Sequence, residues 1–136
     1  MKKWLIAFLA GFVATLVFHQ GALWLLHLAG VTPGTPFVMK PVPPFSVPKV
    51  ISLAFWGGVW GIIMILMIGK VRAFYLVATV FGAVLPTLVA AFVIAPLRHM
   101  PLTGSPAKLL TIGLIVNGAW GLGTAVLYRL FMGGRR

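Results

Sequence analysis

Aspartate and glutamate are absent from all 136 residues, and so is cysteine. The first absence removes internal salt bridges, carboxylate acid/base catalysis, carboxylate metal sites and carboxylate-based proton coupling. The second removes a disulfide framework, a thiol nucleophile and iron–sulfur ligation. Charge of any kind is scarce, at 8% of residues against 61% hydrophobic. This balance is that of an all-α membrane protein forming a single integral membrane domain over residues 1–136. The eleven Lys and Arg make the protein basic, at +11, but they stand singly or in pairs at the ends of apolar runs. Topology signals are placed in this way, whereas a nucleic-acid surface needs a clustered patch, so no nucleic-acid partner is expected.

Four apolar runs predict four transmembrane helices, at about 4–29, 50–69, 73–95 and 109–132. Met1-Lys2-Lys3 before an apolar stretch could open a signal peptide, but a signal's apolar core is about 7–15 residues. This run continues to Ala29 without a convincing cleavage site, and reads as an uncleaved first span. Trp4 and Trp24 fall near its two interfaces. Between spans one and two, residues 30–48 hold six of the ten prolines, which predicts a stiff, extended, partly polyproline II loop. Phe37, Val38, Met39 and Phe45 make it apolar enough to lie across the mouth of the bundle or in the headgroup layer, with a re-entrant loop as the alternative. Lys70-Val71-Arg72 leaves a tight turn that makes spans two and three antiparallel neighbours. A second proline-containing loop follows at Pro96 to Lys108, and the chain ends on a short basic tail, Gly133 to Arg136.

Lys and Arg divide seven against four between the two sides: Lys2, Lys3, Lys70, Arg72, Arg129, Arg135 and Arg136 against Lys40, Lys49, Arg98 and Lys108. This places both termini in the cytoplasm of a multi-pass inner-membrane protein, with dual insertion as the alternative. Gly58-Val59-Trp60-Gly61 recurs as Gly118-Ala119-Trp120-Gly121, and Val13-Ala14-Thr15 as Val77-Ala78-Thr79. The two halves then read as a parallel internal repeat of two antiparallel hairpins. Chance matching in an apolar alphabet is the bland alternative, more so for Val-Ala-Thr than for the Trp-containing motif.

Gly57 and Gly61 form a GxxxG pair, and Gly82, Gly113 and Gly121 lie on small-residue stripes with Ala78, Pro86, Ala90, Asn117 and Ala125. These five glycines are the expected helix-packing positions. Pro86 is expected to kink span three and free the carbonyl of Gly82.

His19, Gln20, Trp56, Thr87 and Asn117 come from four spans yet fall at one depth when counted from the span ends. Polar groups in hydrocarbon need partners, so these five are expected to converge as structural glue or as a ligand site, with His19 or Gln20 bonded to Asn117. A haem reading would use His19, His27, Met64 and Met67. Two His eight residues apart on one helix cannot be opposite axial ligands, so that reading needs a homodimer, and no cofactor or metal is expected. In size and residue usage the chain is similar to small four-span fluoride channels, but it lacks their Gly-rich, Arg-containing first-span motif and no family membership follows. The expectation is a non-enzymatic accessory, assembly or structural subunit whose partners are the lipid bilayer, other membrane chains or its own copies. The alternative is a small oligomeric channel or carrier for an anion or neutral solute.

Overall fold

A computed structural model of the chain describes residues 1–99 and 105–134. Pro101 of the second loop and Arg135 and Arg136 of the tail lie outside these described residues. Four helices dominate: α1 Lys2–Leu28, α2 Lys49–Ile68, α3 Phe74–Leu97 and α4 Pro106–Phe131, of 27, 20, 24 and 26 residues. All four are long and apolar enough to cross a membrane. Between α1 and α2 lies a minimal antiparallel ladder, β1 Pro41–Val42 against β2 Val47–Pro48, pairing Val42 with Val47 and Pro41 with Pro48.

The boundaries follow local chemistry. Helix α1 ends in a Schellman motif: Gly30, at φ 72°, donates to the carbonyl of His27, and Val31 donates to that of Leu26. Glycine is favoured here because a left-handed residue must follow the last helical one. The same pair of bonds closes α4, from Gly133 to Leu130 and from Gly134 to Arg129. Helix α4 begins at Pro106, three residues ahead of Leu109, because proline at the first helical position loses only an N–H that had no partner. Without acidic residues no helix start can be capped by a carboxylate. At α2 the loop does this work, as the N–H groups of Lys49 and Val50 donate to the carbonyls of Lys40 and Val38, both at 3.0 Å.

Two π-helical turns interrupt the ladders, Thr15–His19 in α1 and Ala90–Ile94 in α3. The chain stays helical through Pro86. The irregularity expected there falls one turn later, just ahead of Pro96, where a widened turn makes room for a proline ring.

Packing is densest between α3 and α4, between α1 and α2, and between α1 and α4. Helices α2 and α3, neighbours across the tight turn, share a narrower contact; there the Trp60 and Phe81 rings meet edge-on at 6.3 Å. The α1/α2 and α3/α4 crossings are built alike. A Cβ on Gly61 would lie 2.5 Å from the Ala7 carbonyl oxygen and 3.2 Å from the Gly11 Cα. One on Gly121 would fall on the Ala78 carbonyl and lie 3.0 Å from the Gly82 Cα. Gly57 abuts Thr15 and the Gly11 carbonyl, and Gly82 abuts the Asn117 carbonyl. Residue numbers run in opposite senses along both crossings, so each pair is antiparallel. Ala7 and Gly11 therefore stand to Gly61 as Ala78 and Gly82 stand to Gly121. This register does not align Val13-Ala14-Thr15 with Val77-Ala78-Thr79, whereas it keeps the Gly-x-Trp-Gly match.

Glycine also floors aromatic side chains. The Phe8 ring lies over Gly58 and the Phe18 ring over Gly123. The interior is completed by Ala10, Ala14, Met64, Ile65, Phe74, Trp120, Ala125 and Tyr128, while large apolar side chains such as Leu25, Phe55, Leu66, Leu76, Phe92 and Leu130 face outward.

Candidate functional site

The polar residues expected in one layer fall into separate groups. Asn117 donates from Nδ2 to the Thr87 hydroxyl at 2.9 Å, above Gly113, whose missing side chain leaves room for the Thr87 methyl. Its partner is thus Thr87, not His19 or Gln20. Trp56 does not join either group; it is 55% exposed and stacks edge-on against Phe55 at 5.6 Å, in a row with Phe8. The tryptophan that turns inward is Trp120. Its Nε1–H donates to the Gly11 carbonyl at 3.1 Å, and the Thr15 hydroxyl donates to the same oxygen at 2.9 Å.

His19 and Gln20 are together at the end of the molecule that carries the proline-rich loop. Gln20 is 2% exposed, and the Phe37 backbone N–H donates to its Oε1 at 2.7 Å. A backbone N–H can only donate, so this contact fixes which end of the amide is oxygen. The other end, Nε2, is 3.0 Å from His19 Nδ1. Because an amide nitrogen only donates, Nδ1 accepts, and the neutral imidazole carries its proton on Nε2. The π turn that closes at His19 sets this arrangement, with the Gln20 N–H reaching back to the Thr15 carbonyl.

The loop packs over this pair. Phe37 takes a left-handed conformation, φ 55°, that delivers its N–H to Gln20; such a backbone is uncommon for a bulky residue and is held by its surroundings. His27 Nδ1 contacts the Thr32 carbonyl at 3.2 Å, tying down the start of the loop. Between loop, α1 and α2 remains a cleft of about 230 Å³. His19, Gln20, Thr35 and Lys49 form its polar wall, and Leu23, Val38 and Leu53 its apolar wall.

The sequence placed His19 and Gln20 at a site but missed Thr35, Val38 and Lys49, which only the folded-back loop and the start of α2 bring in. The Pro-rich, apolar character of residues 30–48 was the available signal. Among the described residues, no three His, Cys, Asp or Glu side chains cluster as a metal site would require. No family model, curated protein or solved structure matches this chain.

Proposed function

We propose that this is a multi-pass inner-membrane protein, two helical hairpins related by an internal repeat, that acts as a non-enzymatic accessory or assembly subunit of a membrane complex. One observation carries the reading. Among the described residues, no buried side-chain nitrogen or oxygen lacks a hydrogen-bond partner, and the helix crossings are closed by backbone-to-backbone contact. Partnered buried polar atoms and glycine-packed crossings support a role carried by the outer surface more than one carried along the helix crossings.

Membrane insertion is supported by the apolar side chains facing outward from all four helices, for which lipid is the suitable solvent. The repeat is supported by the matching glycine crossings, and by the motif's own tryptophans. Trp60 of α2 reaches Phe81 of α3, and Trp120 of α4 reaches Gly11 of α1, so each crosses from the second helix of one pair to the first helix of the other. The row of Phe8, Phe55 and Trp56 along α1 and α2 is the face on which a partner helix would pack.

The alternative, an oligomeric channel or carrier for an anion or neutral solute, is favoured by the cleft, whose polar wall holds Lys49 and no acid. Purification in mild detergent separates the two. An accessory subunit brings down other membrane chains in fixed ratio, whereas recovery of multiples of this chain alone would overturn the assembly reading.

A further inference from the structure

The cleft at the loop end opens to the surface and combines unfilled space with side-chain groups not already engaged. We infer that it is a binding site for a phosphate-type oxyanion. Its wall includes one cation, the exposed Lys49, and with no Asp or Glu in the sequence no side chain of this protein can neutralise that charge. The His19 ring contributes a donor. With Nδ1 accepting from Gln20, the proton is on Nε2, which has no hydrogen-bond partner among the described residues. The Thr35 hydroxyl, on an exposed residue and likewise without such a partner, can also donate. The one strong side-chain acceptor on the wall, Gln20 Oε1, is occupied by the Phe37 N–H. An unmatched positive charge with the His19 and Thr35 donors beside it repels cations and suits an oxyanion, whose bonds to Lys49 would be charge-assisted.

Size and lining narrow the class. The space of about 230 Å³ corresponds to roughly eight waters at about 30 Å³ each, enough for a phosphate headgroup and far too little for a whole lipid. The apolar wall of Leu23, Val38 and Leu53 suits hydrocarbon attached to that headgroup. A free phosphate and a phospholipid headgroup share the chemistry, and the lipid source rests on the membrane placement proposed above.

The test uses the full chain in mild detergent. Phosphatidylglycerol, diacylglycerol with the same tails, and inorganic phosphate are each titrated, and bound adducts are counted by native mass spectrometry. The wild-type chain should retain phosphatidylglycerol and not diacylglycerol. Lys49→Met should weaken retention about tenfold, as the loss of one charge-assisted contact implies. Lys49→Arg should retain binding, and Lys70→Met, which removes a cation outside the cleft, should bind as wild type. Thr35→Val should weaken retention less than Lys49→Met, and gel filtration establishes that each variant is folded. If millimolar inorganic phosphate displaces the lipid, the free anion is a ligand in its own right; if the lipid stays, the headgroup with its tails is the ligand. The inference is overturned if Lys49→Met binds as wild type, if diacylglycerol is retained equally, or if no adduct forms. Failure of membrane insertion would show instead in the labelling of cysteines introduced at Ser46 and Val71.

Discussion

The indole of Trp120 donates a 3.1 Å hydrogen bond to the carbonyl of Gly11, joining α4 to α1 across 109 residues of chain. That oxygen also accepts from the Thr15 hydroxyl, and Gly57 packs flush against it. Three helices thus meet at one backbone oxygen, just ahead of the π turn.

The two roles of Trp120 can be separated. Trp120→Phe keeps most of the ring and removes the donor, and since Thr15 still serves Gly11, the cost should be about 0.6 kcal/mol, a typical interhelical polar contact in a membrane protein. Trp120→Ala should cost about 3–5 kcal/mol, because it empties a core position. Unfolding titrations in mixed micelles measure both. Equal losses in the two variants would mean that the hydrogen bond, rather than the packing, holds the junction.

Gly61→Leu and Gly121→Leu should each abolish a monodisperse product, because a side chain at either position collides with the Ala7 or Ala78 backbone and separates helices that depend on close approach. A Cβ added at Gly21 would meet nothing within 4 Å, so Gly21→Ala should be tolerated or mildly stabilising, since alanine is the better helix former. Yield and gel-filtration profile decide between these outcomes. A well-behaved Gly121→Leu would contradict the crossing.

Much of this architecture was readable from residue order, and the reason is physical. Apolar run length reports a helix that can span about 30 Å, so the four spans lie within three residues of the observed helix ends. Gly57, Gly61, Gly82 and Gly121 were readable as well, because small residues spaced by four mark a face. Depth along a helix follows from its rise per residue, which is why His19, Trp56, Thr87 and Asn117 looked like one layer. Direction around the axis is less secure. A π turn inserts an extra residue and rotates everything beyond it by about 100°, and in α1 it is where Phe18 meets Gly123 of α4 while Gln20 meets the loop at Phe37. No residue in Thr-Leu-Val-Phe-His announces that turn. Helices α2 and α4 carry no such turn; there Trp56 faces outward and Trp120 inward because of how each helix is rotated against its neighbours, which apolar run length does not encode.

Asn117 and Thr87 should behave as a coupled pair. Either Asn117→Ala or Thr87→Val leaves one polar partner without the other, while the double variant removes both, so the second change should cost less in the background of the first. A coupling of about 0.6 kcal/mol is expected. A double-mutant cycle on micelle unfolding measures it, with His19→Phe in the Asn117→Ala background as the control that should be additive. Coupling between His19 and Asn117 would restore the single-layer arrangement.

Gln20 anchors the proline-rich loop to α1. In Gln20→Leu the Phe37 N–H loses its acceptor, and the left-handed conformation at Phe37 loses the contact that accompanies it. Hydrogen exchange should accelerate at Phe37 and its neighbours while the helix cores keep their protection. Unchanged exchange at Phe37 would show that the ladder of Pro41–Val42 and Val47–Pro48 and the Lys40 and Val38 carbonyl contacts hold the loop without Gln20.

Topology can be tested against a clean background because the chain has no cysteine, so any thiol signal comes from the position introduced. Ser46→Cys places a thiol at the exposed turn between the two short strands, and Arg72→Cys places one in the exposed turn between α2 and α3. The excess of Lys and Arg on the side of Arg72 predicts that this turn is cytoplasmic and the loop external. A membrane-impermeant maleimide should therefore label Ser46→Cys in intact cells and Arg72→Cys only after permeabilisation. Arg72→Cys also removes one of the seven cations that set the bias, so Val71→Cys, which keeps them all, is the companion variant. Labelling of Ser46→Cys only after permeabilisation would invert the topology, and labelling of both loops in intact cells would indicate insertion in both orientations.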